Sequence, residues 1–80
     1  MYFVYILVSL KDEKKFYVGM TEDLSRRFSE HNSGSAVYSK RYAPWRLSTY
    51  ICFVDRSKAL ALEKYLKVGS GFAFLKKRLI

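Results

Sequence analysis

Tyr5, Tyr17, Arg27, His31 and Glu63 are polar side chains at intervals that a small fold could gather, and Gly19 follows Tyr17 by two places. Hydrolysis of a phosphodiester needs an activated water, stabilisation of the charge that grows on phosphorus, and help for the leaving 3′ oxygen. Arg27 has the planar fork that holds a phosphate bidentately, a task for which it is better than lysine. Glu63 can anchor one divalent cation, and Mg²⁺, or alternatively Mn²⁺, suits one carboxylate completed by waters and phosphate oxygens. A single carboxylate does not make a two-metal clamp. Tyr17 is the preferred general base or water-orienting hydroxyl, with Tyr5 as a second hydroxyl beside it. A phenol of pKa ~10 acts as a base near neutrality only where cations stabilise the phenolate, and Arg27, His31 and a metal could supply that field. His31 can orient a tyrosine hydroxyl or help protonate, and Gly19 lets backbone approach a phosphate closely.

Each residue also has a plainer role to weigh. Aromatic residues in central strands are usually core, a lone helix histidine is usually structural, and Arg27 could be a surface arginine like its neighbour Arg26. Glu63 and Lys67 are spaced to pair along a helix, worth ~0.2 to 0.5 kcal/mol. Against this, Glu63 lies three residues from both Leu60 and Leu66, on the apolar face, where an unpartnered carboxylate is costly.

These residues need a scaffold, and the sequence outlines one. Tyr2 to Val8 is aromatic and branched without polar alternation, which predicts a central strand covered on both faces. Ser9 to Lys14 is a polar turn, and Lys15 to Met20 is the return strand of a hairpin, with Phe16 and Val18 on one face and Tyr17 and Gly19 on the other. With Leu7 opposite Lys15, Tyr5 falls opposite Tyr17. Thr21 or Asp23 can cap a helix to about Asn32, with Leu24 and Phe28 as its stripe and Asn32-Ser33-Gly34 as its stop. On it Arg27 and His31 stand one turn apart, facing the seam between helix and sheet.

Asn32 to Pro44 is a long basic and aromatic loop, and Trp45 to Phe53 a third strand, with Trp45, Leu47, Ile51 and Phe53 alternating against Arg46, Ser48, Tyr50 and Cys52. Ser57 can cap a second helix through Lys67, closed by Gly69, and Ser70 a third from Gly71 to Leu79. The expected fold class is α+β: a small three-stranded antiparallel sheet flanked by helices in the order β-β-α-β-α-α.

Eighty residues suffice for one domain, 1–80, burying ~60 to 65% of its unfolded surface. Half of the residues are hydrophobic and 18% aromatic, too apolar a mix for disorder. The single cysteine, Cys52, rules out an intrachain disulfide and a thiolate zinc site, and points to a reducing, cytoplasmic compartment. Tyr2 to Leu10 has neither a basic leader nor a cleavage site and is half the ~20 residues of a membrane span, so no membrane association is expected. The net charge of +8 favours a polyanionic partner. From Arg56 to Ile80 the cations are Arg56, Lys58, Lys64, Lys67, Lys76, Lys77 and Arg78, against Glu63 alone.

In its motifs the chain resembles the GIY-YIG nuclease family, in particular its stand-alone single-domain members. Phe3-Val4-Tyr5 stands where the family has its first tripeptide and Tyr17-Val18-Gly19 where it has the second. Asp23-Leu24, Arg27 four residues before His31, and Ala59-Leu60 leading to Glu63 and Tyr65-Leu66-Lys67 follow in order. The resemblance implies that the two tyrosines, Arg27, His31 and Glu63 surround one scissile phosphate with one divalent metal, held by Glu63. Two departures are visible: Phe3 replaces the first glycine, and the asparagine that many members carry in the last helical segment is absent, Asn32 being the chain's only one. Ser70 or Lys67 would then take part of that role, or activity would be weak.

The expected function is therefore a metal-dependent endonuclease acting on DNA, with RNA left open, selective for shape because no separate specificity domain fits in this length. Gly19, Lys40, Arg41, Tyr42, Lys67, Lys76 and Lys77 are the expected nucleic-acid contacts; Tyr38 and Tyr42 interleave with Lys40 and Arg41 as rings on which bases could stack. A monomer is expected, with a dimer left open. The alternatives are a non-catalytic nucleic-acid-binding module of the same fold and an interaction domain with incidental charge. Glu63, retained in a basic tail, argues against the first, since pure phosphate binding would favour its removal.

Overall fold

The computed structural model describes residues 1–36 and 39–80, so Tyr38 lies outside the described residues. The apolar run becomes β1 (Tyr2–Ser9), the centre of an antiparallel sheet between β2 (Phe16–Thr21) and β3 (Trp45–Phe53). Val4, Tyr5, Ile6, Leu7 and Val8 are all at most 1% exposed, because helices cover both faces of the strand. On one face Val4, Ile6 and Val18 pack with Ala59, Leu66 and Leu75, from α2 (Arg56–Leu66) and the turn after α3 (Gly69–Phe74). On the other, Tyr5, Leu7 and Trp45 pack with Leu24 and Phe28 of α1 (Leu24–Ser33). The resulting α+β order is the one expected from the sequence.

The hairpin register differs from expectation by two residues: Leu7 pairs with Tyr17 and Tyr5 with Gly19. The loop sets this, because Ser9 N–H donates to Lys15 O at 3.0 Å, and Ser9 Oγ accepts from the N–H groups of Lys11 and Asp12. Side chains keep their faces under a two-residue shift, so Tyr17 still shares a face with Tyr5.

In β3 the uniform alternation expected from the sequence breaks at a bulge. Ile6 faces Thr49 and Leu7 faces Leu47, leaving Ser48 as the extra residue. Trp45 and Leu47 therefore join the α1 face, while Phe53 joins the α2 face. Ser48 Oγ donates to Leu79 O at 2.9 Å, tying the C-terminal segment to the bulge.

Asp23 caps α1, its carboxylate accepting from Arg26 N–H, and Gly34 ends the helix in the left-handed region at φ 85°. The cap of α2 is Asp55 and not Ser57; the Ser57 N–H and Oγ–H both donate to the Asp55 carboxylate. These bonds hold the Asp55 carboxyl below its usual pKa. Gly69, expected to close α2, instead opens α3 at φ 55°, after Lys67 has capped α2. The third helix is α-helical only to Phe74 and continues as a π-helical turn, Leu75–Leu79. The basic loop is in part structured: Lys40–Tyr42 form a 3₁₀ turn, and Ala36 and Ser39 are buried.

Candidate active site

The polar residues meet on the α1 face, beside the β1–β2 ladder. Tyr5, 1% exposed, places its hydroxyl 2.9 Å from His31 Nε2. The Tyr17 ring stacks on Tyr5 with centroids 6.2 Å apart and lies 4.6 Å from the imidazole. Register explains how both phenols fit: Tyr5 crosses over Gly19, where a Cβ would stand 2.6 Å from Tyr5 Cζ. In this fold Gly19 makes room for a ring; its proposed closeness to phosphate is a separate matter.

Arg27, one helical turn before His31, donates from NH1 to Glu30 Oε1 at 3.0 Å. Its side chain is 34% exposed, against 72% for Arg26, whose Nε stands 3.6 Å from the other Glu30 oxygen. Glu30, which sequence reasoning missed, thus orients Arg27 and is shared with Arg26; its signal was the i, i+3 and i, i+4 spacing.

Burial pushes the Tyr5 phenol up to about 12, against the opposing pull of Arg27 and with help from Tyr17 and the Glu63 charge. Arg27 is raised above its ordinary value, first by Glu30 and then by Tyr5. His31 is wholly buried and its pKa is lowered, by that burial and then by the positive charge of Arg27. Tyr5 is therefore held protonated and His31 neutral near pH 7.

Glu63 projects from α2 with its side chain 20% exposed, and Lys67 Nζ stands 3.5 Å from its Oε2. Both readings of this glutamate are thus realised: it faces inward, and it pairs with Lys67. Its charge acts on the Tyr5 phenol, which brings it into the same electrostatic neighbourhood as the tyrosines and Arg27.

Two clefts flank β2 and share Phe16 and Tyr17. One, of about 420 Å³, is walled by Leu66, Lys67 and Phe72, with Lys76 Nζ 5.6 Å from the Phe72 ring. The other, of about 470 Å³, is walled by Lys15, Arg41 and Tyr42, and both cations lie over the Tyr42 ring at 5.5 and 5.7 Å. Lys40 and Lys77 are exposed. Lys15 is a further cation beside Tyr17 that sequence reasoning missed. Asn32 serves the fold instead of the site, its amide closing a two-bond ring with the N–H and C=O of Trp45. Ser70 is an exposed residue of α3.

The GIY-YIG catalytic domain matches residues 1–73. The UPF0213 protein of Haloquadratum walsbyi is 42% identical over 67 residues, covering 82% of this chain and 73% of the relative. The UPF0213 protein of Clostridium perfringens is 37% identical over 68 residues, covering 84% of this chain and 71% of that protein. In structure the chain is similar to the UPF0213 protein BH0048 of Bacillus halodurans, solved by solution NMR, with a TM-score of 0.59 and 28% identity over 99% of this chain and 87% of the other.

Proposed function

This chain belongs to the GIY-YIG family, a family of nucleases, and from that premise we propose that it is an endonuclease hydrolysing DNA phosphodiester bonds with one divalent cation, selecting substrates by shape. The observation that supports this most is the convergence of Tyr5, Tyr17 and His31 through ring contacts and a hydrogen bond, with the Arg27 and Glu63 charges acting on the Tyr5 phenol.

Arg27, aimed by Glu30, binds the scissile phosphate and stabilises the charge that develops on it. Tyr17 lines both clefts and is the phenol placed to orient or deprotonate the attacking water. Tyr5 is buried and protonated, which gives it a positioning role beside Tyr17 and Arg27. His31, equally buried, holds the Tyr5 hydroxyl from behind. Lys40, Arg41, Tyr42, Lys67, Lys76 and Lys77 engage the flanking backbone, and Gly19 keeps β2 open beside Tyr17.

Among the described residues no cluster of three His, Cys, Asp or Glu exists to cage a metal. Glu63 offers a single, partly exposed carboxylate, a donor set that fits a cation retaining most of its waters, as Mg²⁺ or Mn²⁺ does. Such a cation would supply positive charge against the phosphate and ease deprotonation of water. No helix of the described residues is long and apolar enough to cross a membrane. We place the protein in the cytoplasm as a monomer, with DNA as its partner.

Incubating the protein with labelled single-stranded, duplex, flap and branched DNA, with and without Mg²⁺ or Mn²⁺, tests this. Metal-dependent cleavage of one shape above the rest is the expected result. One observation favours a second reading, a non-catalytic nucleic-acid-binding module: Glu63 already has a cationic partner in Lys67. Tight binding with no cleavage under either metal would select it.

A further inference from the structure

Ser39 has no part in the chemistry above, yet it is 1% exposed and bonded at its hydroxyl and carbonyl. Its Oγ meets His31 Nδ1 in a short hydrogen bond and lies 3.3 Å from Ala36 O, while its carbonyl accepts from Trp45 Nε1 at 2.9 Å. The Trp45 indole thus fixes the backbone that presents the hydroxyl to the imidazole. Both ring nitrogens of His31 are engaged, Nδ1 by Ser39 and Nε2 by Tyr5, so the tautomer follows from the direction in which the protons run.

The bond from Ser39 to Ala36 O sets that direction, because a carbonyl only accepts. With the Ser39 proton on Ala36 O, Ser39 Oγ accepts from His31 and Nε2 is left to accept the Tyr5 proton. Nδ1 then carries the ring proton and donates to Ser39 Oγ, whose proton goes to Ala36 O. In the reverse direction the Ser39 proton leaves Ala36 O for Nδ1, and Nε2–H donates to the Tyr5 oxygen.

We propose that Ser39 is a positioning residue that holds His31 as the Nδ1–H tautomer, so that Nε2 fixes the Tyr5 hydroxyl beside Tyr17. The tautomer assignment stands on the hydrogen bonds; its effect on turnover rests on the nuclease reading.

His31 is the chain's single histidine, so the ¹⁵N shifts of one imidazole read the tautomer directly. At pH 8 the parent protein is expected to show a protonated Nδ1 and an unprotonated Nε2. Ser39→Ala should shift the ring toward Nε2–H or into exchange, and lower cleavage roughly 10- to 100-fold, the range for losing a partner that orients a functional histidine. Ser39→Thr, which keeps the hydroxyl, should restore the Nδ1–H signature and return cleavage to within a few-fold of the parent. A parent spectrum showing Nε2–H overturns the proposal, as does a folded Ser39→Ala protein with an unchanged imidazole spectrum. If Ser39→Ala does not fold, the parent and Ser39→Thr spectra still decide it. Should the tautomers behave as expected while no DNA is cut by any variant, the nuclease reading fails and the Ser39 assignment stands.

Discussion

Lys67, the cap of α2, stands one turn beyond Glu63 with its Nζ 3.5 Å from Oε2, so the carboxylate proposed to hold a cation already has a movable positive partner. A cation held by Glu63 would displace an exposed lysine and leave it available to phosphate, and the pair itself contributes little to stability.

Glu63→Gln keeps shape and hydrogen-bonding capacity while removing the charge. Cleavage should fall at least ~100-fold, since a metal ligand counts for more than the residues behind it. DNA binding in EDTA should persist or strengthen, because one repulsive charge is gone. Parallel cleavage rates and EDTA binding isotherms check this, and parental cleavage in the variant would reduce Glu63 to the partner of Lys67.

Arg27→Ala should lower cleavage by roughly 10²- to 10³-fold, the usual loss for a donor aimed at developing charge. Arg26→Ala should retain most activity, because its side chain is 72% exposed and only shares Glu30. Equal losses in the two variants, at matched thermal stability, would break the assignment.

Stability should decline toward both pH extremes for identifiable reasons. The Tyr5 phenol titrates near 12 when folded, so above its unfolded value of ~10 only the unfolded chain releases the proton, and stability drops as pH rises toward 12, by on the order of 2 to 3 kcal/mol. His31 is lowered, so below its unfolded value of ~6.5 the unfolded chain takes up a proton that the folded chain refuses, and stability is lost as pH falls. Urea midpoints from pH 5 to 11 for the parent and Tyr5→Phe test the alkaline limb: the variant's slope should be the shallower one.

Binding to DNA should weaken tenfold or more between 50 and 200 mM salt if several phosphates are neutralised, on the order expected for counterion release. Replacing Lys40 and Arg41 by Gln should reduce the salt slope by about one for each phosphate that is no longer neutralised. Titrations by fluorescence anisotropy at four salt concentrations would show it, and a slope indifferent to both substitutions would remove that loop from the interface.

The strands and α1 were legible because composition and caps agree: an unbroken apolar run for β1, and Asp23 ahead of Leu24 and Phe28. Register was not, because it is decided by Ser9 folding back on Lys11 and Asp12, a contact with no periodic signature. In the site, the spacing of Arg27 and His31 was readable since both ride one helix. Ser39 was not, since it lies in a segment without pattern and acquires its role only through the side chain of His31. The bulge at Ser48 was equally silent, an extra residue in an otherwise clean alternation.

That bulge gives β3 two allegiances. Its first half completes the core beneath α1 and its second half the core beneath α2, so neither layer can melt while the other keeps the whole strand. Excising Ser48 would join Leu47 directly to Thr49 and close the bulge with every pair of the ladder kept; what it would remove is the bond from Ser48 Oγ to Leu79 O that ties down the C-terminal segment. The two halves of the molecule are therefore expected to unfold as one cooperative unit, because they share this strand.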